Sequence, residues 1–234
     1  MIRNKKAFNV GLLLTVSFFI VLWIMFLPYF GGENAFHAAD RLFNTISKGS
    51  SYYIPGLVEK SKEWQGKAFD VKISVSPDKL RDNVAKVLMT NGVMVAQEAN
   101  ALKVQGDLGS LFQAALRDSD DMYHNRGDAV STRYGMPEKE ALFAWHNALK
   151  AMDKALKEQK NFKESKAVNE VIARAVEVGY NYYGIAPQKA SERAGILAFS
   201  LIFYVVYTIW WGFAIMYLCE GVGLAMKKGA KKEV

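Results

Sequence analysis

Asp120 and Asp121 stand four and three residues ahead of His124 in "DSDDMYH". On a helix these side chains share a face, and two carboxylates with an imidazole are donors that a divalent cation accepts. A fourth ligand is missing from the pattern, so the stretch reads as a polar helix end running into "NRGD", and no metal is expected. Arg126-Gly127-Asp128 spells a tripeptide known from adhesion motifs, but three residues in that setting read as a turn. His146, beside Trp145, reads as a hydrogen-bonded flank residue, not a base. His37 reads as solvated, with pH sensing near head groups as the sharper alternative.

Tyr52 and Tyr53, and the trio Tyr180, Tyr182 and Tyr183, form two aromatic clusters. Packing and interface anchoring explain them best, and a ligand pocket is the alternative. Nothing resembles a glycine-rich phosphate loop, a nucleophile elbow or a catalytic pair of acids. The expectation is therefore no catalytic residue, no cofactor and no enzyme. The single cysteine, Cys219, excludes a disulfide, a cysteine zinc site or a c-type haem motif from the rest of the chain.

The elements that carry these residues follow from hydropathy. Two uncharged runs, Phe8 to Phe30 and Ala194 to Cys219, each exceed the roughly 20 apolar residues needed to cross a hydrocarbon layer. No histidine lies in either, so bis-histidine haem ligation within them is excluded. The first run is longer than the apolar core of a typical signal peptide, and "GGENAFHAAD" offers no clean cleavage site, so a retained anchor is expected. Arg3, Lys5 and Lys6 precede the first run; Lys227, Lys228, Lys231 and Lys232 follow the second and supply most of the formal charge of +7. The positive-inside rule then places both ends in the cytoplasm. The basic excess is topogenic and attracts anionic lipid rather than nucleic acid.

The resulting organisation is a cytoplasmic tail at 1–7, a transmembrane helix at 8–30 and an extracytoplasmic helical domain at 31–189. A second transmembrane helix with a flanking extension follows at 190–226, and a basic cytoplasmic tail at 227–234. A bacterial inner membrane with a periplasmic central domain is the expected location.

Within the domain, Phe36, Ala39, Leu42, Phe43 and Ile46 mark an amphipathic helix ending at Lys48-Gly49. Phe69, Val71, Ile73 and Val75 alternate as a strand, for which "DAVSTRYG" offers the expected partner. Ser76-Pro77-Asp78 starts a helix, with a capping hydroxyl at Ser76, that is expected to run to about Val104 with a bend at Asn91-Gly92. Three more amphipathic helices follow. One carries Leu108 to Met122, and one a seam of Leu142, Trp145, Leu149, Met152 and Leu156. The last opens with capping-box spacing at Asn161 and Glu164 and buries Val168 to Val176. The fold class is mainly α: two transmembrane helices flanking an antiparallel helical bundle, with a small two-stranded β element.

The second apolar run carries two polar features. Ser200, Tyr204, Tyr207, Thr208 and Trp211 recur at helical spacing, a hydroxyl-bearing aromatic stripe suited to another helix. As a helix, the stretch from Ala194 to Met226 measures roughly 50 Å, so it tilts or protrudes. Glu220 then falls at the cytoplasmic head groups, or, if deeper, requires a partner. With short tails and no catalytic constellation, the reading is a non-catalytic accessory or scaffold subunit of a larger membrane assembly. Its partners are other integral membrane subunits or further copies of itself, and lipids. The alternative is an extracytoplasmic ligand-sensing domain that signals through a separate membrane protein.

Overall fold

A computed structural model describes residues 2–98 and 101–224, so the basic tail at 227–234 lies outside the described residues. The chain divides into two compact units, Met1–Ile46 with Gln188–Val234, and Ser47–Pro187.

The first unit holds α1 (Lys5–Phe26), most of α2 (Ala35–Ser50), a 3-10 turn (Ala190–Arg193) and α10 (Ala194–Val222). Helices α1 and α10 are each long and apolar enough to cross a membrane, and almost none of their residues is buried by the rest of the chain. A core helix of a soluble protein would be covered; these are not.

The second unit runs α3 (Ile54–Ser61), β1 (Ala68–Ile73), α4 (Asp78–Thr90), β2 (Met94–Glu98), β3 (Ala101–Asp107), α5 (Leu108–Tyr123) and α6 (Gly127–Tyr134). It continues through α7 (Glu138–Glu158), α8 (Phe162–Val171), a π-helical turn (Ile172–Val176) and α9 (Glu177–Tyr182). The periodic faces read from the sequence are the buried ones. Leu142, Trp145, Leu149, Met152 and Leu156 of α7 are inside, as are Leu111, Phe112, Ala115 and Leu116 of α5, and Val168 and Ala175 downstream. Helix α7 packs against α4, α8 and β1.

The β element differs from the expectation. It has three strands, all antiparallel, in the order β1-β3-β2. Val71 stands opposite Val104, and Phe69 opposite Gly106, where a Cβ would lie 3.2 Å from the Phe69 ring. The helix from Asp78 ends at Thr90, because Gly92 takes a positive φ of 79° and reverses the chain into the β2–β3 hairpin. "DAVSTRYG", residues 128–135, expected to pair with β1, instead forms helix α6 and its Gly135 cap. Val130 and Tyr134 are four apart, so a helix buries both on one face as readily as a strand would. Ser76 and Asn161 make no side-chain cap, although α4 and α8 begin where expected. Lys48-Gly49 does not end α2, which continues to Ser50.

Candidate functional site

Helices α1 and α10 pack against one another along a seam of small residues: Ala7, Gly11, Ala214 and Gly221 are its buried positions. A Cβ on Gly11 would lie 2.6 Å from the Leu218 nitrogen, and one on Gly221 2.6 Å from Phe8 Cβ. The backbones therefore touch, the arrangement small residues permit between apolar helices. At the α1 N-terminus, the Arg3 and Asn4 amides donate to the Gly221 carbonyl at 2.8 and 3.0 Å. The helices thus run antiparallel, with the start of α1 level with the end of α10.

Asn4 accounts for Glu220. Its Oδ1 caps α1 by accepting from the Ala7 amide at 3.2 Å, and its Nδ2 donates to Glu220 Oε1 at 3.2 Å. The carboxylate is exposed at the helix end and tied to the other helix.

The hydroxyl-aromatic stripe divides between two uses. Tyr207 stacks on Phe18 with ring centroids 4.1 Å apart, and Trp211 lies 4.6 Å from the same ring. Trp210, outside the stripe, donates from Nε1 to the Leu14 carbonyl at 3.1 Å. Tyr204, 67% exposed, and Thr208 are turned away from α1, and Thr208 spends its hydroxyl on the Tyr204 carbonyl. Ser200 is half-buried and bonds the Ile196 carbonyl. The physical reason is angular: these positions span about a quarter of the helix circumference, and α1 covers one edge of that arc. The Tyr207 hydroxyl is buried and bonds to nothing among the described residues.

In the second unit, the acids near His124 face arginines. Arg126 contacts both Asp120 and Asp121 at 3.0 Å, and Arg133 contacts Asp121 at 3.2 Å. His124 Nδ1 is 3.3 Å from Asp120, and Tyr52 donates to the same carboxylate at 2.6 Å. Burial, then that hydrogen bond and charge, push the Tyr52 phenol up to about 12. Among the described residues no three His, Cys, Asp or Glu side chains converge as a metal ion requires. Arg126 of the Arg-Gly-Asp tripeptide is engaged in this cluster, and Gly127 begins α6.

Three buried ionisable groups escaped the sequence reading. Asp118, fully buried, accepts from Trp145 Nε1 at 2.8 Å, from Arg117 Nε at 3.2 Å, from the Tyr134 hydroxyl and from Arg133. Burial first, then the Asp118 charge and hydrogen bond, push Tyr134 up to about 12. Lys48, also fully buried, donates to the carbonyls of Ile185 at 2.6 Å and Tyr182 at 3.0 Å and to Asn125 Oδ1 at 3.2 Å. Its ammonium lies over the Tyr123 ring, and no carboxylate pairs with it among the described residues. One of its acceptors, the Tyr182 carbonyl, is the last of α9 and lies at that helix's negative end. Burial pulls its pKa below the ordinary lysine value. Burial opposes ionisation of Asp153 as well, but hydrogen bonds from Lys157, Ser165 and Asn169 outweigh it and hold the carboxyl low. The available signal was periodicity: Asp118 lies three after Ala115 and four before Met122, on the apolar stripe of α5.

The three tyrosines proposed as pocket walls are dispersed. Tyr182 meets Ser47, while Tyr180 packs on Phe143 and Tyr183 reaches Gly127. A cleft of about 380 Å³ lies elsewhere, lined by Leu57, Phe112 and Val171 together with Lys163, Lys166, Glu63 and the ion pair of Lys60 with Glu170 at 2.8 Å. A second, of about 510 Å³, is lined by Tyr52, Ile54, Val58 and Asp120. His146 faces Glu177 at 3.4 Å, and His37 is exposed. Neither a family model, nor a curated protein, nor a solved structure matches this chain.

Proposed function

We propose that the chain is a non-catalytic accessory or scaffold subunit of a larger membrane assembly. Its two apolar helices dock against neighbouring subunits, and its central domain, an extracytoplasmic helical bundle carrying a small sheet, covers or bridges them. The observation that carries this reading is the uncovered part of the α10 stripe. Tyr204 and Thr208 sit on a bilayer-length helix yet are not used by α1, and side chains of that kind serve a second helix better than acyl chains. Orientation follows from the basic residues at the α1 N-terminus, an end it shares with the end of α10.

The test is extraction from native membranes in several mild detergents. The expected particle is much heavier than the 26.2 kDa chain, and it is lost in the Tyr204→Ala, Thr208→Val variant. A stable monomer throughout would refute the proposal.

A second reading, a ligand-sensing domain signalling through a separate membrane protein, draws on the cleft lined by apolar side chains, lysines and glutamates. Its volume falls in the range of small-molecule sites. Saturable thermal stabilisation of the full chain by a small amphiphile, lost on Lys163→Glu with Lys166→Glu, would favour it.

A further inference from the structure

Helix α2 carries an apolar stripe of Phe36, Ala39, Phe43 and Ile46, yet Phe36 and Phe43 are 44% and 49% exposed. Among the described residues of the first unit, no other element packs extensively on α2. Two contacts tie it to the apolar pair and the segment leading into α10. The Phe36 ring lies 5.1 Å from that of Phe26, the last residue of α1, and the Thr45 carbonyl accepts from the Gln188 amide at 3.0 Å. Gln188 precedes the start of α10 by only six residues, four of them in the 3-10 turn.

The lengths of the two long helices say what surrounds α2. Helix α10 has 29 residues and α1 has 22. Because they are level where Arg3 and Asn4 bond Gly221, the excess of α10 projects about 10 Å beyond α1 at the other end. That projection is "AGILAFS", with Ile196 49% and Phe199 65% exposed. An apolar surface therefore extends past the end of α1, on the side of the pair where Phe36 at the start of α2 meets Phe26. Tyr29 and Phe30, in the turn joining α1 to α2, are exposed at the same boundary, where amphipathic rings concentrate. The opposite face of α2 is polar: His37 and Arg41 are exposed, and Arg41 pairs with Glu33 at 2.8 Å.

We infer that α2 is a membrane-surface helix, its Phe36 and Phe43 side seated in the boundary between head groups and acyl chains. The occupant of this face is lipid, because the face is continuous with the exposed surface of the helices that cross the bilayer. The inference rests on the reading of α1 and α10 as membrane spans.

Spin labels separate the two. The background is the full chain with Cys219→Ser, its single cysteine removed, reconstituted in phosphatidylethanolamine–phosphatidylglycerol liposomes. Labels are placed by Phe36→Cys, Phe43→Cys, His37→Cys and Arg41→Cys, with Leu13→Cys in the middle of α1 as the span control. The expected ratio of oxygen to nickel-chelate accessibility is several-fold higher at 36 and 43 than at 37 and 41, and shifted towards the value at 13. Water-like ratios at 36 and 43 beside a lipid-like value at 13 overturn the surface helix and leave the spans intact. Shielding of 36 and 43 from both reagents overturns it in favour of a protein cover. A water-like value at 13 overturns the span reading, and the surface helix with it.

Discussion

Replacing Tyr134 with phenylalanine tests the buried network around Asp118 through its pH dependence. Tyr134 donates to a carboxylate with no solvent exposure and accepts from Asn91 Nδ2 at 2.7 Å. Loss of the hydroxyl leaves Asp118 with Trp145, Arg117 and Arg133 but one donor short, at a cost of about 1–3 kcal/mol near neutral pH. The folded phenol is pushed up to about 12 from an ordinary value of 10.0. Its contribution is fully present below the unfolded value and is lost as pH climbs towards the folded one. At about pH 11 the unfolded phenol is mostly ionised and the folded one mostly neutral, so the wild type loses about 1.4 kcal/mol that the variant never had. The other tyrosines titrate in both proteins and cancel. Urea unfolding in mild detergent, followed by near-ultraviolet circular dichroism, should show the wild-type advantage narrowing by that amount from about pH 8 to about pH 11. A gap that stays constant across this range refutes the assigned network.

Gly221→Leu places a Cβ 2.6 Å from Phe8 and should weaken the pairing of α1 and α10 by about 1–3 kcal/mol. Gly212→Leu, whose added Cβ meets nothing, should be neutral; an SDS titration read by tryptophan fluorescence compares them. Tyr207→Phe removes a buried, unbonded hydroxyl and should stabilise the same pair by about 1 kcal/mol in that titration. Lys48→Met strips the donor from Ile185, Tyr182 and Asn125 and should cost about 3 kcal/mol or more in urea unfolding. With no carboxylate partner among the described residues to screen, that loss should persist in high salt.

Periodicity made much of this chain legible. The stripes of α5, α7 and α8 could be read residue by residue, because a helix face is decided by side chains three and four apart. The two bilayer-length helices were legible for a simpler reason, since uncharged length alone distinguishes them. The sheet was not. "MVAQEANALKVQ" is rich in helix formers, and only the turn at Gly92 and pairing with β1, some thirty residues away along the chain, make it a hairpin.

The stripe of Ser200, Tyr204, Tyr207, Thr208 and Trp211 was evident by spacing, whereas which members face α1 depended on the approach angle of a helix nearly two hundred residues distant. The same limit hid Lys48. In sequence it is an ordinary polar residue near a helix end, and its burial depends on carbonyls at Tyr182 and Ile185 arriving from the far side of the domain. Composition and local spacing thus determined which segments are apolar and which faces are buried, since both are properties of neighbouring residues. Partners across the chain were decided by the tertiary structure alone, because hydrogen bonds and close backbone approach require two distant segments to occupy one place.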